Sequence, residues 1–297
     1  MKKIILITDA TSAEGSSVAT ALLKDKKFGV RILISNTNSP KAIALQKEGA
    51  ELAEGNMEDM DSLKNAMKDV YGVFGEVRSY TQGKNLINAV NESTVVHFVL
   101  SSSLDYHQLS NGELPVPALD TKAAVERYSR SVGLPATYLH GSFYYENFLH
   151  LFPLQKADDN NYYFGFPQGN TRLSMYSVED TGGIVAGIFD RPEYIGHVVG
   201  AVATDRTCTE YARIMSETLQ KQIHYKHISH SSYSVLPEMK DAANMFEVQR
   251  LFIPNRQIQM IECYGLYPEM QSFEDWMACK RYRFIHRFET TTELIEA

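Results

Sequence analysis

The segment Thr8-Asp9-Ala10-Thr11-Ser12-Ala13-Glu14-Gly15 joins an apolar run at 3–8 to a helical pattern at 16–23. A strand-to-helix turn of this kind holds a diphosphate when glycines let the backbone approach it and the helix N-terminus supplies N–H groups. Only Gly15, at the position that packs helix on strand, is a glycine; Asp9 and Ser12 stand at the other two. The N–H groups of Thr11, Ser12, Ala13, Glu14 and Gly15 remain as donors. The Asp9 and Glu14 carboxylates repel a diphosphate unless a proton or cation intervenes. The alternative is a turn that only connects strand to helix. After the second strand an acid would grip a ribose diol and an arginine would take a 2′-phosphate. Ser35 and Asn36 occupy that place, with Arg31 inside the strand and Lys41 on the following helix.

A lysine can lower the pKa of a tyrosine four residues before it, making a proton donor for a carbonyl. Lys122 has Ala118 at that place, so the donor is missing. Tyr80 and Lys84 match the letters but follow the fourth strand, and in a chain with 17 tyrosines about one such match arises by chance. Ser101-Ser102-Ser103 ends the fifth strand, where a serine would assist such a tyrosine; serines there also satisfy strand-end carbonyls. Tyr144-Tyr145-Glu146-Asn147 follows a strand at 137–140, as cleft wall or as core. His224, His227 and His230 fall on two faces of an extended segment, and no cysteine or acid completes a metal set. Apolar stripes at Met245, Phe246, Val248 and Leu251, and at Phe273 and Trp276, follow helix spacing, as core or as a partner groove.

These residues need a scaffold, and the first half of the chain supplies one. Strands are expected at 3–8, 30–34, 52–53, 73–74 and 95–100. Helices are expected at 16–23, from Ser39-Pro40 to a stop at Gly49, at 62–70 and at 84–90. Ser39 is an N-cap residue and Pro40 suits the first helical position. A repeated βα pattern means an α/β fold with a doubly wound parallel sheet of the Rossmann type. The second half is less regular, with helices expected at 181–189, 209–219, 241–251 and 273–280 and a strand at 198–199. We therefore expect a Rossmann-type domain at 1–152 and a smaller α/β domain at 153–297, part of 172–205 rejoining the sheet.

The 297 residues carry a net charge of −7, which argues against nucleic acid and anionic membranes as partners. Three cysteines, Cys208, Cys263 and Cys279, fit neither a disulfide framework nor a zinc site. The apolar run after Lys2-Lys3 is too short for a leader or a membrane helix. A cytoplasmic location is the expectation.

Read in order, several stretches resemble the NmrA-like family of atypical short-chain dehydrogenases/reductases. They are 7–15 with Ser17-Val18-Ala19, Asn38-Ser39-Pro40-Lys41-Ala42, Gly49-Ala50-Glu51, Gly72-Val73-Phe74, Gln82-Gly83-Lys84, Lys122 with Val125-Glu126-Arg127-Tyr128, Tyr145-Glu146-Asn147, 175–180, 241–246 and Asp275-Trp276. The resemblance covers nearly the whole chain. It implies a dinucleotide-binding Rossmann domain that takes NADP, in proteins that act as redox-sensing regulators. It places Ser35 where the family has an arginine, and Asn56, beside Met57, where it has an aspartate near the adenine. Lys122 falls at the family lysine, and Tyr144, Tyr145 and Asn147 at the nicotinamide side. With Asp9, Ser12 and Glu14 in the turn, the expectation is a regulatory or redox-sensing protein without dehydrogenase activity. Its NADP site would be weak or lost, and it would act with a protein partner. The alternatives are an NAD(P)H-dependent reductase and a non-binding scaffold in which Asp9 or Arg78 fills the phosphate site.

Overall fold

Apolar residues alternate along the first strands, and the alternation sorts them to two faces. In the computed structural model, which describes residues 2–158, 160–253 and 255–296, the first half runs β1 (Ile4–Ile7), α1 (Ala13–Asp25), β2 (Gly29–Ile34), α2 (Pro40–Lys47), β3 (Glu51–Glu54), α3 (Met60–Ala66), β4 (Gly72–Gly75), α4 (Tyr80–Asn91), β5 (His97–Ser102), α5 (Tyr106–Leu109), α6 (Pro117–Val132), β6 (Ala136–Gly141) and β7 (Phe143–Tyr144). It continues with β8 (Gln155–Lys156), β9 (Asn161–Phe166), β10 (Arg172–Tyr176), α7 (Thr181–Phe189), β11 (Val198–Ala201), β12 (Thr204–Thr207), α8 (Cys208–Leu219), β13 (Gln222–His227), α9 (His230–Ser234), α10 (Lys240–Phe252), α11 (Gln257–Leu266) and α12 (Phe273–Glu296).

Seven parallel strands form the main sheet in the order β11-β6-β5-β4-β1-β2-β3. Ile5, Ile7, Ile32 and Val99 pack toward α1 and α7. Leu6, Leu33, Val73, Phe98 and Leu100 pack with residues of α3, α4 and α6. Both faces are covered, which is why these strands read as continuous apolar runs. The Rossmann-type reading therefore holds, and β11, within 172–205, lies at the sheet edge beside β6.

Two glycines let α1 sit where it does. A methyl on Gly15 would overlap the Asp9 carbonyl oxygen, and one on Gly182 would overlap the Ser17 carbonyl oxygen. Gly15 thus fixes α1 against the end of β1, and Gly182 lets α7 lie on α1 at backbone distance. Ser12 caps α1 by accepting from Gly15 N–H at 2.9 Å.

The smaller sheets are β12-β10-β7 and β13-β9-β8, and all their strands except β7 come from the less regular half. The sequence reading did not anticipate β8, β9, β10 or β12. β8, β10 and β12 are short, and β9 (Asn-Tyr-Tyr-Phe-Gly-Phe) is aromatic at four of six positions on both its faces, so its buried alternation is hidden in the letters. Phe166 stacks on Phe246 with ring centroids 4.0 Å apart, and Phe273 stacks on Trp276. Each such ring contributes roughly 1.5–3 kcal/mol through burial. The stripes at Phe246, Val248, Phe273 and Trp276 are core, while Leu251 is exposed. His224 and His227 lie on β13, as the extended reading had them, but His230 opens α9 because Ser229 caps that helix. No helix among the described residues is long and apolar enough to cross a membrane.

Candidate functional site

Parallel βα units place their loops at the carboxyl edge of the sheet, and the turns after β1, β2, β3, β4 and β5 meet there. A cleft of about 300 Å³ opens on that edge, lined by Thr11, Ser35, Asn56 and Met57 together with Asp9, Arg78 and Gln82. Its floor is the end of β2 at Leu33 and Ile34. Asn36 does not line it; its side chain accepts from Asn38 N–H at 3.0 Å. Asn56 uses its side-chain oxygen to accept from Glu58 and Asp59 N–H, which shapes the loop after β3. Lys41 donates to the Thr11 carbonyl at 2.6 Å and so clamps α2 onto the turn.

The turn itself is closed by an ion pair. Arg78 Nε and Nη2 donate to Asp9 Oδ2 at 3.0 and 2.7 Å. The other Asp9 oxygen accepts from Thr11 Oγ1 and Ser12 N–H. The carboxylate that a sequence reading sets against a diphosphate is thus neutralised by a side chain 69 positions along the chain.

Deeper in, Glu14 turns away from the cleft. It is buried at 7% exposure and accepts from Ser101 Oγ at 2.6 Å and from the Tyr144 hydroxyl, with Lys122 Nζ 3.5 Å away. Lys122 also donates to Ser101 Oγ at 3.0 Å. Burial pushes the Glu14 pKa up, but the Lys122 charge and the bonds from Ser101 and Tyr144 outweigh it and hold the carboxyl below its usual value. Burial, with the Glu14 charge, pushes the Tyr144 phenol well above its usual value. A phenol raised in this way is a weaker proton donor.

Glu76, at the end of β4, was not singled out in the sequence; its signal is an acid placed directly after a buried glycine strand. It contacts Ser12 Oγ through Oε2 and is pushed up to about 7, by burial first and by the Glu14 charge next. Ser12 Oγ also lies 2.9 Å from the Asp9 carbonyl oxygen and accepts from Gly15 N–H. A hydroxyl has one proton, so it cannot donate to both acceptors; a protonated Glu76 donating to Ser12 satisfies all three groups. The sign of the pH effect follows. A carboxyl raised in the folded state contributes stability that is complete below about 4.5 and lost as pH rises through about 7. Glu76→Gln is expected to gain on the wild type by on the order of 2 kcal/mol across that window. Urea midpoints of both proteins at pH 5, 6, 7 and 8 check it; parallel midpoints would remove Glu76 from this role.

The three serines at the end of β5 divide their work. Ser101 joins Glu14 and Lys122, Ser102 donates to Glu126 Oε2 at 2.6 Å, and Ser103 donates to the Leu119 carbonyl at 2.7 Å. Only Ser103 is chiefly a carbonyl satisfier. Tyr145 stands apart from the cleft: it is fully buried against Phe273 and Trp276, its hydroxyl 3.1 Å from Thr204 Oγ1. Asn147 is half-buried in the 3₁₀ turn Tyr145–Leu149, where its carbonyl accepts from His150 and Phe152 N–H. Glu146 is structural, accepting from Trp276 Nε1, Ser177 Oγ and Val178 N–H. Tyr80 and Lys84 lie on α4, and neither contacts the Glu14 network. The cleft thus gathers Thr11, Ser35, Asn56 and Met57. The buried network gathers Ser12, Glu14, Lys122 and Tyr144, with Ala13 and Gly15 in the backbone between.

Comparison with known proteins fits this arrangement to a family. The profile of the NmrA-like family matches residues 1–277. The NmrA-like family domain-containing oxidoreductase hkm9 of Aspergillus hancockii is 29% identical over 274 residues, covering 82% of each chain. Among solved structures, the negative transcriptional regulator NmrA in complex with NADP superposes with a TM-score of 0.79 at 20% identity, covering 98% of each chain. An NADPH-dependent quinone oxidoreductase of Escherichia coli superposes with a TM-score of 0.72 at 18% identity, covering 92% of this chain and 98% of that one. At these identities the solved structures speak to the fold.

Proposed function

The chain belongs to the NmrA-like family, and from that premise we propose that it is a regulatory, non-dehydrogenase member. Its dinucleotide site is open along the cleft from Asp9 and Thr11 to Ser35 and Asn56, with the cation there already paired, and is filled further in by Glu14, Lys122 and Tyr144. The observation that carries this reading is the pairing of Lys122 with Glu14 and of Arg78 with Asp9. The cations that would meet a ribose or a phosphate already have anionic partners inside the protein. A nicotinamide dinucleotide does not fit this charge pattern, because the cations that would meet its phosphates or ribose are already paired inside the protein and offer it no free countercharge. The missing tyrosine at Ala118 and the raised Tyr144 phenol leave no matched proton donor at the nicotinamide side. The regulatory role, exerted through a protein partner, accords with the description of NmrA as a negative transcriptional regulator.

The test is a calorimetric titration with NADPH and then NADH at low salt and pH 7. No saturation at millimolar ligand, with a folded protein, is the expected result. Micromolar NADPH binding would overturn this reading.

One observation favours a second reading. The relatives carry the name oxidoreductase, and Ser101, Lys122 and Tyr144 meet within one hydrogen-bonded group. An NAD(P)H-dependent reductase would need Glu14 to release Lys122 on binding. NADPH consumption with a carbonyl or quinone panel, lost in Lys122→Ala, would move the assignment to that reading.

A further inference from the structure

We propose that a second cleft, on the α6 side of the main sheet, binds a small apolar monocarboxylate through Arg256. The cleft encloses about 320 Å³ between the ends of β6 and β11 on one side and Phe252, Ile253, Asn255, Arg256 and Gln259 on the other. That size is at the lower end of small-molecule pockets. Its walls are apolar: Leu104, Leu109, Val198, Phe252 and Ile253. Its polar residues include Arg256 and His140.

Arg256 is what calls for a ligand. The residue is only 5% exposed, and a guanidinium keeps its charge in a protein. Nε donates to Gln259 Oε1 at 2.9 Å, and Nη2 reaches the His140 carbonyl at 3.4 Å. Both acceptors are neutral. Among the described residues no carboxylate forms an ion pair with this guanidinium. Asp205, whose field it feels, directs its oxygens elsewhere. Oδ1 accepts from Ser174 Oγ at 2.8 Å and Oδ2 from the Arg256 backbone N–H at 3.3 Å. Glu126 is engaged by His140 Nε2, Ser102 and Arg130. A buried charge left in this state costs free energy that an incoming anion recovers.

The charge balance sets the class of anion. One guanidinium neutralises one negative charge, and the carboxylates of Glu126 and Asp205 near the site disfavour a dianion such as a phosphate monoester. A planar carboxylate matches the guanidinium fork, and the apolar walls accept an aryl or alkyl body. Gly200 completes the floor: a methyl there would overlap Arg256 Nη2, so the absence of a side chain is what lets the guanidinium lie under the cleft.

The experiment titrates the full chain with benzoate and with benzamide, its neutral counterpart. Benzoate is expected to bind at least about tenfold more tightly, the scale of a charge-assisted hydrogen-bonded pair. Arg256→Gln should abolish benzoate binding. Val198→Phe should abolish it as well, by blocking the mouth while leaving Arg256 in place; Val198 is 41% exposed, so that variant keeps its fold. Should Arg256→Gln fail to fold, Val198→Phe decides. Equal binding of benzoate and benzamide, benzoate binding retained in Val198→Phe, or no saturation of the wild type by benzoate, phenylacetate or hexanoate would each overturn the proposal.

Discussion

Replacing Asp9 by glycine is expected to raise affinity for NADPH by about two orders of magnitude, since removing a like charge at a binding site is worth several kcal/mol. Three changes act together. The carboxylate that faces the diphosphate is gone. Arg78, whose side chain is 67% exposed, is freed to donate its guanidinium fork to phosphate. A glycine also returns to the first position of the turn, where the backbone must approach the ligand. The substitution gives up the bonds that Asp9 accepts from Thr11 and Ser12, at about 1 kcal/mol each. Calorimetry at low salt reads the affinity, and the gain should shrink as salt rises because Arg78 is exposed. Arg78→Ala alone should give no gain, since it leaves Asp9 uncompensated. A folded Asp9→Gly protein that still fails to bind at millimolar NADPH would mean that Asp9 is not what closes the turn.

The second large effect is on stability. Glu14→Gln is expected to destabilise the protein by about 3 kcal/mol, the scale of breaking a buried ion pair from one side. Lys122 would keep its charge beside Ser101 and lose its countercharge. Lys122→Met leaves Glu14 buried and unpaired, with a similar loss expected. The double variant should be less destabilised than the sum of the two, by at least about 1 kcal/mol of coupling. The pH dependence has the opposite sign to that of Glu76. Glu14 is lowered in the folded state, so its contribution is present above about 4.5 and lost as pH falls through the folded value. The gap between wild type and Glu14→Gln should therefore close in acid while staying constant from pH 6 to 8. Urea denaturation of the four proteins measures both effects. Unchanged midpoints would show the pair to be peripheral and would reopen the nicotinamide side to a ligand.

The two effects together describe a Rossmann edge divided in two. The outer half keeps a cleft lined by Ser35, Asn56 and Met57, while the inner half is filled by Glu14, Lys122, Tyr144 and Ser101. Each acid of the turn has a partner from elsewhere in the chain: Asp9 has Arg78, past β4, and Glu14 has Lys122 on α6 with Ser101 and Tyr144. The turn after β1 is thereby cross-linked to the segment after β4, to β5, to α6 and to β7.

Much of this was legible in the residues. The apolar runs of β1, β2 and β5, the Ser39-Pro40 start of α2 and the single glycine at Gly15 are local signals, set by backbone sterics and by burial on both faces of a parallel sheet. They determined the α/β class, the order of the first elements and which residues, Asp9, Ser12 and Ala118, stand where two glycines and a tyrosine were looked for. Tertiary structure alone decided where the remaining side chains point. Arg78 reaches Asp9 across 69 positions and Tyr144 reaches Glu14 across 130. Tyr144 and Tyr145 are neighbours in the chain, yet one enters the network and the other the aromatic core around Trp276. The reason is geometric: Tyr144 ends β7 while Tyr145 opens the 3₁₀ turn, so their side chains leave the backbone in different directions, and which direction meets a carboxylate or a ring depends on elements brought there from the rest of the fold.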